Sequence, residues 1–192
     1  MSNNQIVDRL KNFVLRPRVD LWMWSSLKLG DGENIFRFML SKCNFIHNAL
    51  EIGTFLGMSS ALIAEYADMV HTLDMHYYDN EFRNVLWEYL GVNKKIVFHP
   101  FSANKQKMKI IKDNGPYDFV FIDGSHLAEA VALDFSLVYD VPKILMHDYG
   151  LDWADITEFV DKVATDGYNG NKYDLCVKVP FALLTRRMND GN

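Results

Sequence analysis

Short apolar runs alternate with helical segments from Phe45 onward, and this alternation is the feature that most limits how the chain can fold. Each run is continuous rather than interleaved with polar residues, which is typical of strands covered on both faces of a parallel sheet. The predicted strands are FIHNALEI, VHTLDM, KIVFH, YDFVFID, PKILMHD, KYDLCVKV and FALLTRRM. Because helical patterns separate the first six, right-handed crossovers predict an open, doubly wound α/β sheet of the Rossmann-like kind.

The last two predicted strands are joined without a helix, so we expect one of them to run antiparallel to the rest. An exposed last strand could pair with another chain. Together with the aromatic-rich N-terminal region, it is a candidate contact surface for a homodimer.

The length of 192 residues suits one domain and leaves little room for a second. We interpret residues 1–44 as an N-terminal cover or lid, because their aromatic and basic residues show no clear period before the turn GDGE and the helix NIFRFMLSKC. Residues 45–192 would form the Rossmann-like core.

The composition narrows the classes of partner. A net charge of -5 without a long Lys/Arg run argues against nucleic-acid binding, and no apolar run is long enough to cross a bilayer. The N-terminal segment lacks the pattern of a secretory signal, which predicts a cytoplasmic location. Cys43 and Cys176 each lie in an apolar context, so we expect two buried free thiols.

The junction between the first strand and its helix contains Glu51, Gly53 and Gly57 in the pattern E-x-G-x-x-x-G. Glycine permits a sharp turn and close approach of a ligand, and the backbone N–H groups at the helix start can receive a polar ligand edge. Asp74 ends the next strand, 17 residues after Gly57, where an acid commonly binds ribose hydroxyls. The alternative is a tight strand-to-helix connection without a ligand.

Asp123 and Asp148 end the fourth and fifth strands, so a parallel sheet would bring both carboxylates to the same edge. Carboxylates from two strands suit a hard cation such as Mg²⁺ or Ca²⁺, or Mn²⁺ if His147 is also a ligand. His126 is a candidate general base. The alternatives are an ordinary turn aspartate at Asp123 and a helix-capping or solvated role for His126.

These motifs resemble class I S-adenosylmethionine-dependent methyltransferases. The segments that carry the resemblance are EIGTFLG, Asp74 at its strand end, YDFVFIDGSH and ILMHDYG. The similarity is greatest to the branch that methylates hydroxyl groups with a divalent metal, which includes catechol-type and sugar O-methyltransferases. This resemblance implies a seven-stranded sheet, S-adenosylmethionine as cofactor and a small-molecule hydroxyl substrate.

By this resemblance, the glycine turn surrounds the methionine part of the cofactor, Asp74 holds its ribose, and Met75 and His76 flank its adenine. The implied cofactor-binding residues are Glu51, Gly53, Thr54, Gly57, Ser59, Asp74, Met75, Ser102 and Asp123. The implied metal ligands are Asp123, His147 and Asp148, and the implied catalytic residues are Asp123, His126 and Asp148. Tyr149 stands where many relatives have Asn or Asp.

Two other functions compete with methyl transfer to a hydroxyl of a sugar or an aromatic compound. An NAD-dependent oxidoreductase is disfavoured because G-x-G-x-x-G is absent and no substrate domain would fit. A binding or assembly module that retains the fold without catalysis is the second alternative, because a fold alone does not specify a function.

Overall fold

The computed structural model describes residues 31–75 and 80–188, which form seven strands and six α-helices. The strands are β1 Ile46–Ile52, β2 Ala67–Asp74, β3 Ile96–Pro100, β4 Phe119–Ile122, β5 Lys143–Met146, β6 Tyr173–Lys178 and β7 Phe181–Arg186. The helices are α1 Asp31–Ser41, α2 Met58–Tyr66, α3 Asn80–Leu90, α4 Asn104–Asn114, α5 Ala128–Ser136 and α6 Ala154–Asp166. The predicted alternation of strand and helix is confirmed.

The seven strands form one sheet in the order β3-β2-β1-β4-β5-β7-β6. Strands β1 to β5 are parallel, and β7 runs antiparallel to both of its neighbours. The strand order reverses between β1 and β4, which is the switch point where ligands bind in doubly wound folds. The predicted Rossmann-like sheet is therefore confirmed, with its ligand-binding position between the ends of β1 and β4.

Two hydrophobic cores lie on opposite faces of the sheet. One packs α1, α2 and α3 on one face, and the other packs α4, α5 and α6 on the second face. All four residues of β4 are buried, because this strand is covered from both sides. The continuous apolar runs of the sequence thus follow from double coverage, since each face of a central strand meets a helix layer.

The C-terminal hairpin corrects two expectations. The last strand is not an exposed edge, because β7 pairs with both β5 and β6 and leaves β6 at the edge. The prediction of a buried thiol at Cys176 is also wrong: this residue lies on edge strand β6 and is exposed. Cys43 is buried and free as predicted, and burial raises the pKa of its thiol to about 12.

The described part of the N-terminal segment is a core helix. In α1, Phe36 is fully buried and its ring lies 4.9 Å from that of Phe121 on β4. Arg37 on the same helix donates a hydrogen bond of 3.0 Å to Glu65 at the end of α2. Residues 1–30 of the predicted lid lie outside the described residues. None of the helices in the described ranges is both long and apolar enough to cross a membrane.

Candidate active site

The carboxyl ends of four adjacent strands are joined by backbone hydrogen bonds just beyond the regular sheet. The N–H of Gly53 donates to the carbonyl of Leu73 at 2.8 Å, and the N–H of Asp123 donates to that of Ile52 at 2.9 Å. The N–H of His147 donates to the carbonyl of Ile122 at 3.1 Å. The structure therefore brings the predicted residues at the ends of β1, β2, β4 and β5 to one edge of the sheet.

The two motif glycines are required by contacts within the protein. Gly53 has φ of +105°, and an added Cβ would lie 2.0 Å from the carbonyl oxygen of Asp123. Gly57 has φ of +76°, and an added Cβ would lie 2.7 Å from the Trp87 ring, whose Nε1 donates to the Gly57 carbonyl at 2.7 Å. The turn on β1 is thus held against β4 on one side and α3 on the other.

Asp74 connects the end of β2 to this turn. Its Oδ2 accepts a hydrogen bond of 2.7 Å from the N–H of Phe55, a residue with φ of +44°. The guanidinium of Arg83 donates to the carbonyl of the same Phe55 at 2.9 Å and lies 3.9 Å from the centre of the Phe98 ring. A left-handed backbone is costly for phenylalanine, so these two bonds hold a strained turn in place.

Glu51 lies beneath the turn with its side chain fully buried. Its Oε2 accepts hydrogen bonds from the hydroxyls of Ser60 and Thr72, whereas its Oε1 has no hydrogen-bond partner among the described residues. Burial raises the pKa of Glu51 to about 7, against the opposing effect of neighbouring hydroxyl groups that include Ser59. The carboxyl group therefore contributes an unpaired, buried polar atom beneath the glycine turn.

The remaining predicted cofactor residues differ in exposure. Thr54 is 1% exposed and its hydroxyl pairs with that of Thr72 at 2.7 Å, so its side chain is engaged within the protein. Ser59 is buried at the start of α2. Met75 is 54% exposed beside Asp74, and the exposed N–H of Ser102 donates to Gln106 Oε1 at 3.0 Å. His76 lies outside the described residues.

Asp123, His147 and Asp148 form a compact cluster at the ends of β4 and β5, with one candidate ligand atom from each lying within 4.8 Å of the others. His147 Nδ1 is 3.1 Å from Asp123 Oδ1 and 2.9 Å from Asp148 Oδ1. Both contacts are charged pairs at hydrogen-bonding distance, and they engage the same ring nitrogen. The contacts are therefore electrostatic.

Backbone strain directs Asp148 into this cluster. Its φ of +63° places a non-glycine residue in the left-handed region, where strain is often stored at functional sites. Burial lowers the pKa of His147, but the carboxylates of Asp123 and Asp148 outweigh burial and raise it to about 10. Burial raises the pKa of Asp148, but contact with His147 and the charge of His126 lower it overall.

His126 lies at the outer side of the cluster. Its Nε2 is 3.3 Å from Asp148 Oδ2 and its side chain is 41% exposed. The ring of Trp153, at the start of α6, packs edge to face against it with centroids 4.6 Å apart. An imidazole oriented by a carboxylate and open to solvent has the placement that a general base requires.

Arg83 and Trp87 contribute to this site, although the sequence patterns did not single them out. They are one turn apart on α3 and both are buried against the glycine turn. The sequence does carry a signal for Arg83: it is a charged residue at helical spacing with the apolar residues Leu86, Trp87 and Leu90. A buried arginine requires a local partner, and here it binds the backbone of the turn.

Comparison with known proteins identifies the class. A family model described as a methyltransferase domain matches residues 50–149, which is more than half of the chain. The chain belongs to this methyltransferase domain family, and the prediction of a methyltransferase is confirmed. The matched region contains the glycine turn, Asp74, Asp123 and Asp148. A comparison with curated proteins gives no match.

Solved structures share the fold at low sequence identity. An O-methyltransferase from Bacillus cereus in complex with SAH has a TM-score of 0.66 at 14% identity, covering 96% of this chain and 92% of that chain. TomG from Streptomyces achromogenes, an O-methyltransferase in complex with SAM, has a TM-score of 0.69 at 15% identity, covering 96% and 91%. MycE, in complex with Mg, SAH and mycinamycin VI, has a TM-score of 0.62 at 17% identity, covering 95% and 55%.

Proposed function

We propose that this protein transfers a methyl group from S-adenosylmethionine to a hydroxyl group of a small molecule, a sugar or an aromatic compound, with a divalent cation bound beside the acceptor. The observation that carries this proposal is the meeting of two chemically different groups of residues at the switch point. The glycine turn with Asp74 lies on one side, and the cluster of Asp123, His147 and Asp148 lies on the other. Methyl transfer needs a nucleoside site and an acceptor site in contact.

The glycine-turn side fits the cofactor. Asp74 stands at the strand end where an acid binds ribose hydroxyls, and its position is fixed by the Phe55 N–H. The N–H of Phe101, just after β3, donates to the carbonyl of Asp74 at 3.1 Å, so the loop with Ser102 borders the same position. The buried Oε1 of Glu51 adds an unpaired polar atom beneath the turn. S-adenosylmethionine supplies an electrophilic methyl group on a sulfonium centre.

The carboxylate side fits a cation. Asp123 and Asp148 are both largely buried and both contact His147, whose raised pKa reflects how strongly this pair of carboxylates attracts positive charge. A divalent cation at this position would lower the pKa of an acceptor hydroxyl and orient its oxygen. The neighbouring structure of MycE was obtained with Mg, SAH and mycinamycin VI together, which supports a cation and a small-molecule acceptor in the same fold.

The side chains of this protein then have distinct roles in the transfer. His126 accepts the proton of the acceptor hydroxyl, and Asp148 orients its imidazole. The backbone contact of Gly53 with Asp123 holds the two sides of the crevice next to each other, which would favour an aligned transfer between a cofactor on one side and an acceptor on the other. Trp153 provides an apolar wall next to His126.

The decisive measurement is titration calorimetry with S-adenosylhomocysteine, followed by a methylation assay with a panel of sugar and aromatic hydroxyl compounds. We expect binding by the wild type and affinity weakened about tenfold or more in Asp74→Ala, because charged hydrogen bonds contribute roughly 1.5–3 kcal/mol. Asp68→Ala, at the opposite end of the same strand, is the matched control and should bind normally. If the wild type does not bind S-adenosylhomocysteine, the proposed methyl transfer is refuted. If it binds this ligand but methylates none of the compounds, the non-catalytic module is favoured.

The predicted cytoplasmic location, the absence of nucleic-acid partners and a homodimer stay predictions. The family match favours methyl transfer over the NAD-dependent alternative. A small-molecule acceptor is consistent with the mycinamycin VI that accompanies MycE.

A further inference from the structure

Strand β6 ends the sheet with an edge that no described strand covers. It pairs with β7 on one side, and the strand order places no described strand beyond it. A strand edge carries N–H and C=O groups that can pair with another chain, unless a proline, a bulge or repulsive charge prevents it. β6 contains no proline, and its pairing with β7 runs without interruption from Tyr173 to Lys178. The backbone of β6 therefore suits pairing with a further strand.

The opposite edge of the described sheet is less suited to such pairing. Strand β3, Ile96–Pro100, is shorter than β6 and ends in a proline, which has no N–H to donate. Its sequence IVFHP also contains no acidic residue, so a second copy of β3 would not bring opposite charges together. Of the two edges, β6 is the better candidate for association.

The bonds between β6 and β7 determine which backbone groups face the free edge. The carbonyl of Lys172, just before β6, accepts a hydrogen bond of 2.8 Å from the N–H of Arg187, so the backbone groups of Lys172 point toward β7. In an antiparallel pair this direction alternates from one residue to the next. The N–H and C=O groups of Tyr173, Leu175 and Val177 therefore point toward the free edge.

A second copy of β6 can pair antiparallel with these groups in a register that also brings opposite charges together. When the pairing is centred on Cys176, Leu175 lies opposite Val177 of the second copy, so that outward-pointing backbone groups meet. In the same register Asp174 lies opposite Lys178 of the second copy, and symmetry forms this pair twice. Pairings centred on Leu175 or Val177 instead place Asp174 or Lys178 opposite Cys176 and join no opposite charges.

The side chains that meet in this register are exposed. The Asp174 side chain is 68% exposed and contacts Arg187 through one of its two oxygens, Oδ1, at 2.8 Å. Cys176 and Lys178 are exposed on the same face of the sheet, and Lys178 Nζ lies 4.6 Å from the centre of the Phe38 ring. Opposite charges directly across a strand pair stabilise it, whereas like charges destabilise it.

We propose that β6 binds β6 of a second copy of this chain, antiparallel and centred on Cys176, so that two sheets join into one continuous sheet. The occupant is the chain itself because the strand is complementary in charge to its own reverse, with Asp174 and Lys178 at equal distances from Cys176. Such self-complementarity is the property of an interface with twofold symmetry. This inference is independent of the proposed methyl transfer, since no residue of the crevice takes part.

Analytical ultracentrifugation of the full-length protein over a series of concentrations measures the association. We expect the wild type to show a monomer–dimer equilibrium. Asp174→Lys or Lys178→Asp places like charges opposite each other twice and should raise the dimer dissociation constant about tenfold or more. The double variant Asp174→Lys/Lys178→Asp exchanges the charges and should return the constant to within about threefold of the wild type. Lys112→Asp, on the exposed face of α4, is the control for net charge and should change nothing.

Oxidation of Cys176 tests the register. This residue would face its own copy in a non-hydrogen-bonded pair with Cα atoms about 4.5 Å apart, which lies within the range for a disulfide. Diamide, which accepts two electrons and two protons from two thiols, should therefore give a covalent dimer on non-reducing electrophoresis. Cys43 should not compete, because it is buried and its pKa is raised to about 12. Cys176→Ser should give no covalent dimer, and Asp174→Lys should give less than the wild type at the same concentration.

Three results would overturn this inference. A wild type that stays monomeric throughout the series would leave the edge of β6 to solvent or to a different partner. A dimer whose dissociation constant is unchanged by both single charge reversals would have its interface elsewhere on the chain. A double variant that stays as weak as the single variants would show that Asp174 and Lys178 do not face each other across the two copies.

Discussion

The two sides of the crevice are built in opposite ways. The glycine-turn side, residues 53–57 with Asp74, is fastened by internal hydrogen bonds from Phe55, Arg83 and Trp87. The carboxylate side, formed by Asp123, His147 and Asp148, is held by close charged contacts between largely buried groups. One side is fastened by hydrogen bonds to its own backbone, and the other by ion pairs between side chains.

This difference indicates what each side receives. A turn whose backbone is already held by its own protein offers a rigid, shaped surface, which lowers the entropy cost of binding a large organic ligand. Two buried carboxylates are costly unless a positive charge accompanies them, so this side suits a cationic group. The same contrast applies to protonation, since burial raises the pKa of Glu51 to about 7 whereas the pKa of Asp148 is lowered.

Gly53→Ala should have the largest effect, because Gly53 lies where the two sides touch. An added Cβ would lie 2.0 Å from the Asp123 carbonyl oxygen at a φ of +105°. Left-handed strain of about 2 kcal/mol and overpacking of about 3 kcal/mol predict a loss of about 5 kcal/mol in the free energy of unfolding. Urea denaturation would measure it.

The matched control for this substitution is Gly170→Ala, with φ of +81° and open space around the added Cβ. It should cost about 1 kcal/mol from backbone strain alone. If Gly53→Ala folds and weakens S-adenosylhomocysteine binding while Mn²⁺ binding is unchanged, the two sides are mechanically independent, contrary to the contact described here.

Asp148→Asn should affect the carboxylate side alone. Loss of the ion and of the partner of His126 predicts a fall in turnover of about a thousandfold on any acceptor that the wild type methylates, because ion-assisted activation contributes several kcal/mol. S-adenosylhomocysteine affinity should stay within about twofold, as measured by calorimetry. The exposed Asp152→Asn in the same loop is the control. Equal losses of cofactor binding and turnover would contradict the division into two sides.

The sequence predicted the architecture well for a physical reason. Strands covered on both faces must be continuously apolar, so the runs before Asp74, Asp123 and His147 were visible, and parallel strands bring such ends to one edge. By contrast, β2 begins at Ala67, three residues before the predicted strand VHTLDM, because pairing with β1 from Ile46 onward outweighs local propensity there.

The parts that the sequence did not predict depend on contacts between distant elements. The contact of Trp87 with Gly57 is set by how α3 packs, and the left-handed backbone of Asp148 is one of several conformations that aspartate tolerates, so residue type alone did not predict it. The prediction that the last strand is exposed was wrong, because the order of strands in the hairpin depends on which of the two pairs with β5. Proximity at the sheet edge was predictable, whereas the orientation of His147 was not.

Glu51→Gln tests the neutral character of the glycine-turn side. Because the folded pKa of about 7 exceeds the ordinary value of 4.5, the favourable contribution of protonated Glu51 is present below pH 4.5 and is lost as pH rises through 7. From pH 4.5 to pH 7 the wild type should lose about 3 kcal/mol of unfolding free energy relative to Glu51→Gln, at about 1.4 kcal/mol per pH unit. Urea denaturation from pH 4.5 to 8 measures the slope.

The control for this series is Glu129→Gln, which removes an exposed carboxyl from α5 and should reproduce the wild-type profile. If the unfolding free energy of Glu51→Gln changes with pH in parallel with that of the wild type, Glu51 is ionised in the folded protein throughout the range. The glycine-turn side would then carry a buried charge like the carboxylate side, and the contrast between the two sides would be lost.

Trp153→Ala should have the smallest effect and should appear in acceptor binding rather than in chemistry. The Trp153 side chain is 44% exposed and packs against His126 at the outer side of the cluster. Loss of an aromatic wall that contributes about 1 kcal/mol predicts a rise of about five- to tenfold in KM for an aromatic acceptor, with kcat changed less. Trp153→Phe should restore most of the affinity, since it keeps a ring beside His126. A fall in kcat at constant KM would instead mean that Trp153 positions His126 and does not contact the acceptor. The carboxylate side would then include the start of α6, and the acceptor would bind against other residues.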